Sequence, residues 1–231
     1  MQKQKLIIND KLYQYLLKYG TNENAILQEI RHFTTSKYNP SQCRMQITIE
    51  QGQFMSLLAQ IMHIKKYLEI GTFTGYSSMS IALATQHDTL VYTLDNNQEY
   101  LNITKHFFTK LNLNHKLIPI HGNALDSLAY LTNKTTELDS FDIIFIDANK
   151  NSYQQYFEYA YLLIKIGGII LIDNVLINGA VLDVNNNTDS KSNMLSYAKN
   201  IHQFNINLQN DKRVSISMLP IADGLTIAIK L

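Results

Sequence analysis

The sequence predicts an α/β fold in which parallel strands end in an antiparallel hairpin, with helices on both faces and a helical N-terminal extension. Three patterns predict it. Residues 1–62 carry apolar side chains at helical spacing, the next stretch alternates short apolar runs with helical segments, and the chain ends in two strand-like segments. Alternating strands and helices are typical of a parallel sheet. The 231 residues fit a single domain, with residues 63–231 as its core.

Periodicity and capping residues place the individual elements. The extension is predicted to hold helices at about 11–19, 24–35 and 49–62. Buried parallel strands are predicted at 66–70, 90–94, 117–120, 142–146 and 169–172, and helices at 77–85, 98–111, 124–131 and 152–164. The final segments, 214–219 and 225–230, lie close enough in sequence to form an antiparallel hairpin. The asparagine-rich stretch 185–190 is predicted to be a solvated loop over a crevice, or a plain connector.

The amino-acid composition indicates which partners and which compartment to expect. Hydrophobic residues make up 45% of the chain and the formal net charge is +1, which gives no general attraction for nucleic acid. A local basic patch stays possible, so nucleic acid remains a weaker alternative partner. The lone Cys43 has no partner for an intrachain disulfide and is interpreted as an incidental thiol in a reducing compartment. No apolar run reaches the length of a membrane span, so we expect a cytoplasmic protein without membrane contact.

Two apolar runs end abruptly in polar residues. Asp147 follows the strand predicted at 142–146, and Asp173 and Asn174 follow the strand predicted at 169–172. Ligands of open α/β sheets bind beyond the carboxyl ends of the strands, so these oxygens are expected in one crevice. They suit a hard divalent cation, Mg²⁺ first and Ca²⁺ or Mn²⁺ as alternatives. Taken singly, each Asp could instead cap the next helix.

Lys150 lies three residues after Asp147 and is expected within reach of a cation-bound oxygen. A nearby cation and partial burial would lower the pKa of this lysine and make it a candidate base, whereas the alternative is an ordinary surface lysine. The seven histidines show no metal-ligand spacing, so the sequence does not favour a zinc site.

A glycine-containing turn follows the first predicted strand, in the pattern Glu69-x-Gly71-x-x-x-Gly75. The dinucleotide fingerprint has a second glycine that lets a pyrophosphate approach, and this chain has Phe73 there, which disfavours a nicotinamide dehydrogenase. A cofactor without phosphate, S-adenosylmethionine, fits better. Ser77 at a helix N-terminus could bind its carboxylate, and Asp95 at the next strand end could accept both ribose hydroxyls, unless Asp95 only caps a helix. The segment ending at Ala124 could line the adenine site.

The chain resembles the cation-dependent O-methyltransferases, which include caffeoyl-CoA and catechol O-methyltransferases and many bacterial relatives. The resemblance runs from about Leu12 to the C-terminus, and five parallel strands with a terminal hairpin form the sheet of class I methyltransferases. Its motifs, in chain order, are Glu50-Gln-Gly-Gln-Phe54, Glu69-Ile-Gly-Thr-Phe-Thr-Gly-Tyr-Ser77, Phe145-Ile-Asp-Ala-Asn-Lys150, Asp173-Asn-Val-Leu176 and Met218-Leu-Pro-Ile-Ala-Asp-Gly-Leu225.

The resemblance implies a role for each matching residue. Asp147, Asp173 and Asn174 would hold the metal, and Lys150 would be the general base. The acceptor would contact Asp147, Asn149 and Asn178. The residues implied in binding S-adenosylmethionine are Ile47 through its backbone, Glu69, Gly71, Thr72, Ser77, Asp95 and Ala124. The family is usually dimeric, so a homodimer is expected.

Two departures from the family pattern concern the acceptor. Asn149 replaces the second Asp of Asp-Ala-Asp-Lys, and Ile177 stands where the plant enzymes have Trp, and both positions are expected to border the substrate. From the resemblance as a whole, the leading hypothesis is methylation of a hydroxyl on a small aromatic acceptor, catechol-like or hydroxycinnamoyl-type. The alternatives are a methyltransferase acting on a tRNA hydroxyuridine and a cofactor-binding module without catalysis.

Overall fold

The structure is a computed structural model that describes residues 6–184 and 193–231, so the loop predicted at 185–190 lies outside the described residues. Its helices are α1 (Asp10–Gly20), α2 (Ala25–Lys37), α3 (Pro40–Cys43), α4 (Ile49–Ile61), α5 (Tyr76–Ala84), α6 (Gln98–Lys110), α7 (Ala124–Thr132), α8 (Tyr153–Leu163) and α9 (Asn193–Asn210). Its strands are β1 (Lys66–Ile70), β2 (Leu90–Asp95), β3 (Leu117–His121), β4 (Phe141–Ile146), β5 (Ile164–Ile172), β6 (Val214–Leu219) and β7 (Leu225–Lys230). Short 3₁₀ segments cover Lys150–Ser152 and Ile177–Leu182.

The described strands form one sheet in the order β3-β2-β1-β4-β5-β7-β6. Strands β1 to β5 pair in parallel, and β7 runs antiparallel to both β5 and β6. The predicted parallel sheet with a C-terminal antiparallel hairpin is therefore confirmed. The order of the strands reverses between β1 and β4, and ligands of open α/β sheets bind at such a reversal.

The core lies on both faces of the sheet. All six residues of β4 are buried, which explains why its sequence is an uninterrupted apolar run rather than an alternating one. Ile144 and Ile146 belong to a cluster with α7, α8 and α9, whereas Ile143 and Phe145 belong to a cluster with α2, α4, α5 and α6. Helices that precede β1 thus cover one face of the central strands.

Strand β5 starts earlier than predicted. The expected helix at 152–164 ends at Leu163, and β5 begins at Ile164 instead of residue 169. Gly167 and Gly168 lie within the strand, where Gly167 has φ +74° and the pairing of β5 with β4 shifts its register. Glycine within a strand often marks such an irregularity.

Helix α9 was not predicted. Its sequence is rich in Asn, which has modest helix propensity, and the charged residues that usually mark a solvent-exposed helical face are few. The helix is fixed by packing instead, because Ala198, Ile201, Phe204 and Leu208 are buried at helical spacing in the cluster with α7 and α8. That spacing is the signal from which the helix could have been found.

The turn after β1 touches the end of β4. Gly71 has φ +96°, and a Cβ at this position would lie 2.0 Å from the carbonyl oxygen of Asp147. The Asp147 N–H in turn donates to the Ile70 carbonyl at 3.0 Å. Glycine is therefore required here by the contact between two strand ends of the protein itself, and this contact fixes Asp147 relative to the turn.

A carboxyl group lies in the middle of the sheet. Glu69 of β1 has no exposed surface; the Tyr67 hydroxyl donates to its Oε2 at 3.1 Å, and its Oε1 has no hydrogen-bond partner. Burial, the largest influence, raises the pKa of Glu69 to about 8, because removing a carboxylate from water disfavours its charged form.

We expect Gly71→Ala to destabilise the fold by at least about 3 kcal/mol, because strain at positive φ adds to a clash with backbone that has no room to move. Gly167→Ala is the matched control, since Gly167 also has positive φ (+74°) but a Cβ there meets nothing within 4 Å. Its expected cost is about 1–2 kcal/mol. Urea denaturation of both variants measures the difference, and equal costs would contradict the proposed clash.

Glu69→Gln is expected to change how stability depends on pH. Between the ordinary pKa of 4.5 and the folded value of about 8, the folded protein retains a proton that the unfolded chain has released. Wild-type stability should therefore fall as pH rises through this window, by on the order of a few kcal/mol, and the Gln variant should lack this fall. Denaturation of both proteins from pH 4 to pH 9 tests it; parallel curves would show that Glu69 is ionised in the fold.

Candidate active site

A cavity of about 620 Å³ opens at the carboxyl ends of the parallel strands. It is lined by nearly all residues for which the sequence predicted a role in binding or catalysis, namely Ile47, Gly71, Thr72, Ser77, Asp95, Ala124, Asp147, Asn149, Lys150, Asp173, Asn174 and Asn178. Glu69 is the exception, because it lies buried within β1 and is not among the lining residues. The structure thus brings the predicted cofactor, metal and acceptor residues to one place.

Asp95 joins β2 to the glycine turn. Its Oδ2 accepts the backbone N–H groups of Thr72 and Phe73, both at 3.0 Å, and its Oδ1 accepts the Asn97 N–H at 2.9 Å. The carboxylate therefore orders the turn and also supports the start of α6, which was the alternative interpretation of this residue. It still lines the cavity, and a carboxylate can accept about four hydrogen bonds, so ribose contact stays a prediction.

Two further predicted cofactor residues, Ser77 and Ala124, lie at helix starts. Ser77 is in the first turn of α5, and Ala124 begins α7 behind Asn123, whose side chain accepts the Leu125 N–H at 2.9 Å. Phe73 lines the cavity where a dinucleotide site would have glycine, and its ring packs edge-on against Tyr100 at 5.0 Å between centroids. The packing of these two rings therefore closes the side of the glycine turn where Phe73 lies.

The two acidic strand ends are direct neighbours. Strands β4 and β5 pair in register at Ile146 and Ile172, and the Asp173 N–H continues the ladder by donating to the Ile146 carbonyl at 3.0 Å. Asp147 and Asp173 are the next residues on each strand, so their backbones lie about 5 Å apart, the spacing of neighbouring strands. The predicted convergence of these carboxylates in one crevice agrees with the register.

Asp173 and its neighbours are tightly held. Its side chain is buried, its Oδ1 accepts the Asn174 N–H at 2.8 Å, and its carbonyl accepts the Tyr153 hydroxyl at 3.0 Å. Asn174 has φ +54°, a left-handed conformation that asparagine tolerates better than most residues. Burial first, and then the charge of Asp147, raise the pKa of Asp173 to about 7.

The donor set fits a hard divalent cation. Two carboxylates and one amide supply oxygen ligands only, which Mg²⁺, Ca²⁺ and Mn²⁺ accept. Within residues 6–184 and 193–231, no three His, Cys, Asp or Glu side chains form a metal cluster, so Asn174 is needed as the third ligand. Two carboxylates in a largely buried place repel each other, and a cation between them would offset that repulsion.

Lys150 makes an ion pair that the sequence did not predict. Its Nζ donates to Asp147 Oδ1 at 3.0 Å and lies 5.4 Å from the centre of the Tyr153 ring. Burial, the largest influence, lowers the pKa of Lys150, but the charges of Asp147 and Tyr153 and their hydrogen bonds raise it above the ordinary value. The predicted lowering depends on a cation bound nearby and stays a prediction; the protein's own groups shift the pKa upward, because Asp147 supplies a negative charge at contact distance.

The residues expected at the acceptor differ in their surroundings. Asn149 is exposed at the cavity wall and caps the 3₁₀ turn by accepting the Asn151 N–H at 3.1 Å. Asn178 is also exposed, and its N–H donates to the carboxylate of Asp223. Ile177 is buried in the core and does not line the cavity, so the expectation that it borders the substrate is wrong.

Several lining residues were missed by sequence reasoning. Asp223 lies in the β6–β7 connection and was part of a quoted motif without an assigned role. Gln51 on α4, Tyr156 on α8 and Arg44 after α3 also line the cavity. None of the four directly follows a predicted parallel strand, which was the signal that located Asp147, Asp173 and Asn174, so their places in the cavity depend on how more distant elements pack.

Comparisons with known proteins agree with this geometry. Residues 18–231 match the family described as O-methyltransferase. A caffeoyl-CoA O-methyltransferase from Populus kitakamiensis is 34% identical, with 98% of this chain and 96% of that protein covered.

Among solved structures, the O-methyltransferase from Bacillus cereus in complex with SAH is 30% identical with a TM-score of 0.81, covering 94% of this chain and 96% of that one. The O-methyltransferase TomG from Streptomyces achromogenes, in complex with SAM, is 25% identical with a TM-score of 0.82, covering 95% and 96%.

No helix in the described residues combines the length and apolarity needed to cross a bilayer. The sheet order, the cavity at its carboxyl edge and the match over most of the sequence lead to one conclusion: the chain belongs to the O-methyltransferase family and has the Rossmann-like methyltransferase fold.

Proposed function

We propose that this enzyme transfers a methyl group from S-adenosylmethionine to a hydroxyl of a small aromatic acceptor, with a divalent cation held by Asp147, Asp173 and Asn174. The observation that carries the proposal is the pairing of β4 with β5, which puts the two carboxylates side by side in the cavity that also contains the glycine turn. A cation site and a cofactor site that share one cavity are what a cation-assisted transfer requires.

The choice of cofactor is supported from two sides. The B. cereus and S. achromogenes relatives contain SAH and SAM, respectively. In this chain, the cavity at the strand ends is lined by Gly71, Thr72, Ser77, Asp95 and Ala124, among others. In the proposal, Ser77 receives the amino-acid end, Asp95 the ribose and Ala124 the adenine, while the backbone at Ile47 closes the pocket.

The cation, Mg²⁺ first and Ca²⁺ or Mn²⁺ as alternatives, would lower the pKa of the acceptor hydroxyl by binding its oxygen. Proton transfer and alignment of the reacting atoms would depend on the protein's own side chains. Lys150 Nζ, held against Asp147, would stabilise the oxygen as it loses its proton, or accept that proton if a bound cation lowers the pKa of the lysine, and the cavity walls align the oxygen with the methyl group. Such alignment can contribute roughly 7–11 kcal/mol to lowering the barrier.

The chemistry of the lining favours an aromatic acceptor of low charge. Among the described residues that line the cavity, four carboxylates (Asp95, Asp147, Asp173 and Asp223) face only two cationic side chains, Arg44 and Lys150. Several phosphates would meet little positive charge there, whereas the rings of Tyr100 and Tyr156 offer surfaces for an aromatic group. A catechol-like acceptor therefore fits better than a thioester that carries phosphates, and Asn149 and Asn178 would contact it. A homodimer and a cytoplasmic location stay predictions.

A methyl-transfer screen tests the function. Catechols, hydroxycinnamoyl thioesters and tRNA are each incubated with labelled S-adenosylmethionine, with and without EDTA. We expect transfer to catechols that EDTA abolishes and added Mg²⁺ restores. Asp173→Ala should lose both turnover and its response to the cation, while Asp88→Ala, a change at an exposed surface carboxylate, should behave as wild type. Full turnover in EDTA would refute the metal role, and transfer to tRNA alone would replace the proposed acceptor.

Lys150→Met is expected to lower kcat by at least about 100-fold, because a positioned proton-transfer group typically contributes that much or more. Its affinity for SAH should stay within about two-fold of wild type, since the lysine is placed at the acceptor and not at the cofactor. Lys105→Met, on the exposed face of α6, is the control. Calorimetry of SAH binding and initial rates separate the two effects; a normal kcat would remove Lys150 from the reaction.

A further inference from the structure

The segment that leads into α4 presents unsatisfied polar atoms to the cavity. Gln46 Oε1, Thr48 Oγ1 and both side-chain polar atoms of Gln51 are buried without a hydrogen-bond partner, and all three residues line the cavity. They account for four of the nine such atoms in the described part of the chain. A buried polar group without a partner costs about 1–3 kcal/mol, so this concentration indicates a place where a partner is expected to bind.

Of the three residues, Gln51 has the strongest need for a hydrogen-bond partner. Its side chain has no exposed surface, so its amide cannot exchange hydrogen bonds with bulk water, whereas Gln46 and Thr48 are only half-buried. It lies at the third residue of α4, where a Gln side chain can cap the helix start, but it makes no such bond. The fold therefore places a neutral amide in a largely apolar helix and gives it no structural use.

The packing of α4 decides what this amide faces. A Cβ on the neighbouring Gly52 would lie 2.9 Å from the Tyr76 ring, so the first turn of α4 is pressed against the start of α5. Gln51 and Asp173 line the same cavity, and the amide is near enough to favour the ionised form of the Asp173 carboxyl, although neither polar atom of Gln51 has a hydrogen-bond partner in this structure. Lys150 is engaged with the other carboxylate, Asp147.

We propose that Gln51 is a positioning residue for the cation site, and this inference rests on the proposed function. When the cation site is occupied, its Nε2 would donate to the Asp173 carboxylate and hold it in the orientation that a cation requires. Carboxylates that ligate a metal are themselves usually hydrogen-bonded, and loss of such a partner typically weakens metal binding 10–100-fold. A neutral amide suits this place because a lysine would compete with the cation and a third carboxylate would add to the repulsion.

The experiment measures cation binding without turnover. Mn²⁺ is titrated into the full-length protein without cofactor, and the free ion is followed by electron paramagnetic resonance. Gln51→Met keeps the volume of the side chain and removes its polar atoms. We expect it to weaken Mn²⁺ binding by at least about 10-fold, while SAH binding measured without metal stays within about two-fold of wild type. Gln60→Met, at the exposed end of the same helix, should change neither.

Each other outcome has a defined meaning. If wild type does not bind Mn²⁺, the proposed cation site itself fails. If wild type binds Mn²⁺ and Gln51→Met binds it equally well, only the role of Gln51 is overturned. A loss confined to SAH would assign the amide to the cofactor, and equal losses of both would show general distortion of the cavity; both overturn the proposal. If Gln51→Met does not fold, Gln51→Asn, which withdraws the amide by one methylene, takes its place with the same expectations.

Discussion

The pairing of β4 with β5 places two carboxylates side by side at the edge of the sheet, and much of the surrounding structure accommodates that contact. The Asp147 N–H bonds to the end of β1, and the Asp173 N–H bonds to the end of β4, so both backbones are fixed by the sheet itself. Because the hydrogen-bond ladder sets the register, the two backbones cannot move apart without breaking strand pairing. The surrounding side chains therefore have to offset the electrostatic repulsion between the two carboxylates.

The neighbouring residues stabilise the two carboxylates in different ways. Lys150 neutralises Asp147 through an ion pair, the Asn174 N–H donates to the carboxylate of Asp173, and the Tyr153 hydroxyl donates to its backbone carbonyl. Gly71 lets the first turn lie against the Asp147 carbonyl, which is why the glycine turn and the acidic pair share one cavity. The helices before β1 complete the wall, since Ile47 and Gln51 enter it from the start of α4. The N-terminal extension is therefore part of the site as well as of the core.

Patterns that depend on one strand and its end could be predicted from the sequence. The apolar run of β4 and the residues after it gave both the parallel sheet and the position of Asp147, because the sheet edge follows directly from the strand. Helix α9 and Gln51 could not be found in this way, since their positions depend on packing between elements far apart in sequence. The ion pair of Lys150 with Asp147 was missed for a related reason: the sequence shows the spacing of the two residues but not the salt bridge at 3.0 Å. Gly71 also has a structural role that the pattern did not show, because a side chain there would meet the backbone of Asp147.

The formal charges around the acidic pair bear on the order of events. Asp147, Asp173 and Lys150 together carry one net negative charge, which a divalent cation would turn into one net positive charge. That excess would then favour an acceptor oxygen that has lost its proton over a neutral one, because an anion would return the site to neutrality. An acceptor with an additional negative group near the same oxygen would exceed that balance, in a cavity where carboxylates already outnumber cations. The same electrostatics that make the pair costly to bury thus favour a cation first and a singly ionised hydroxyl second.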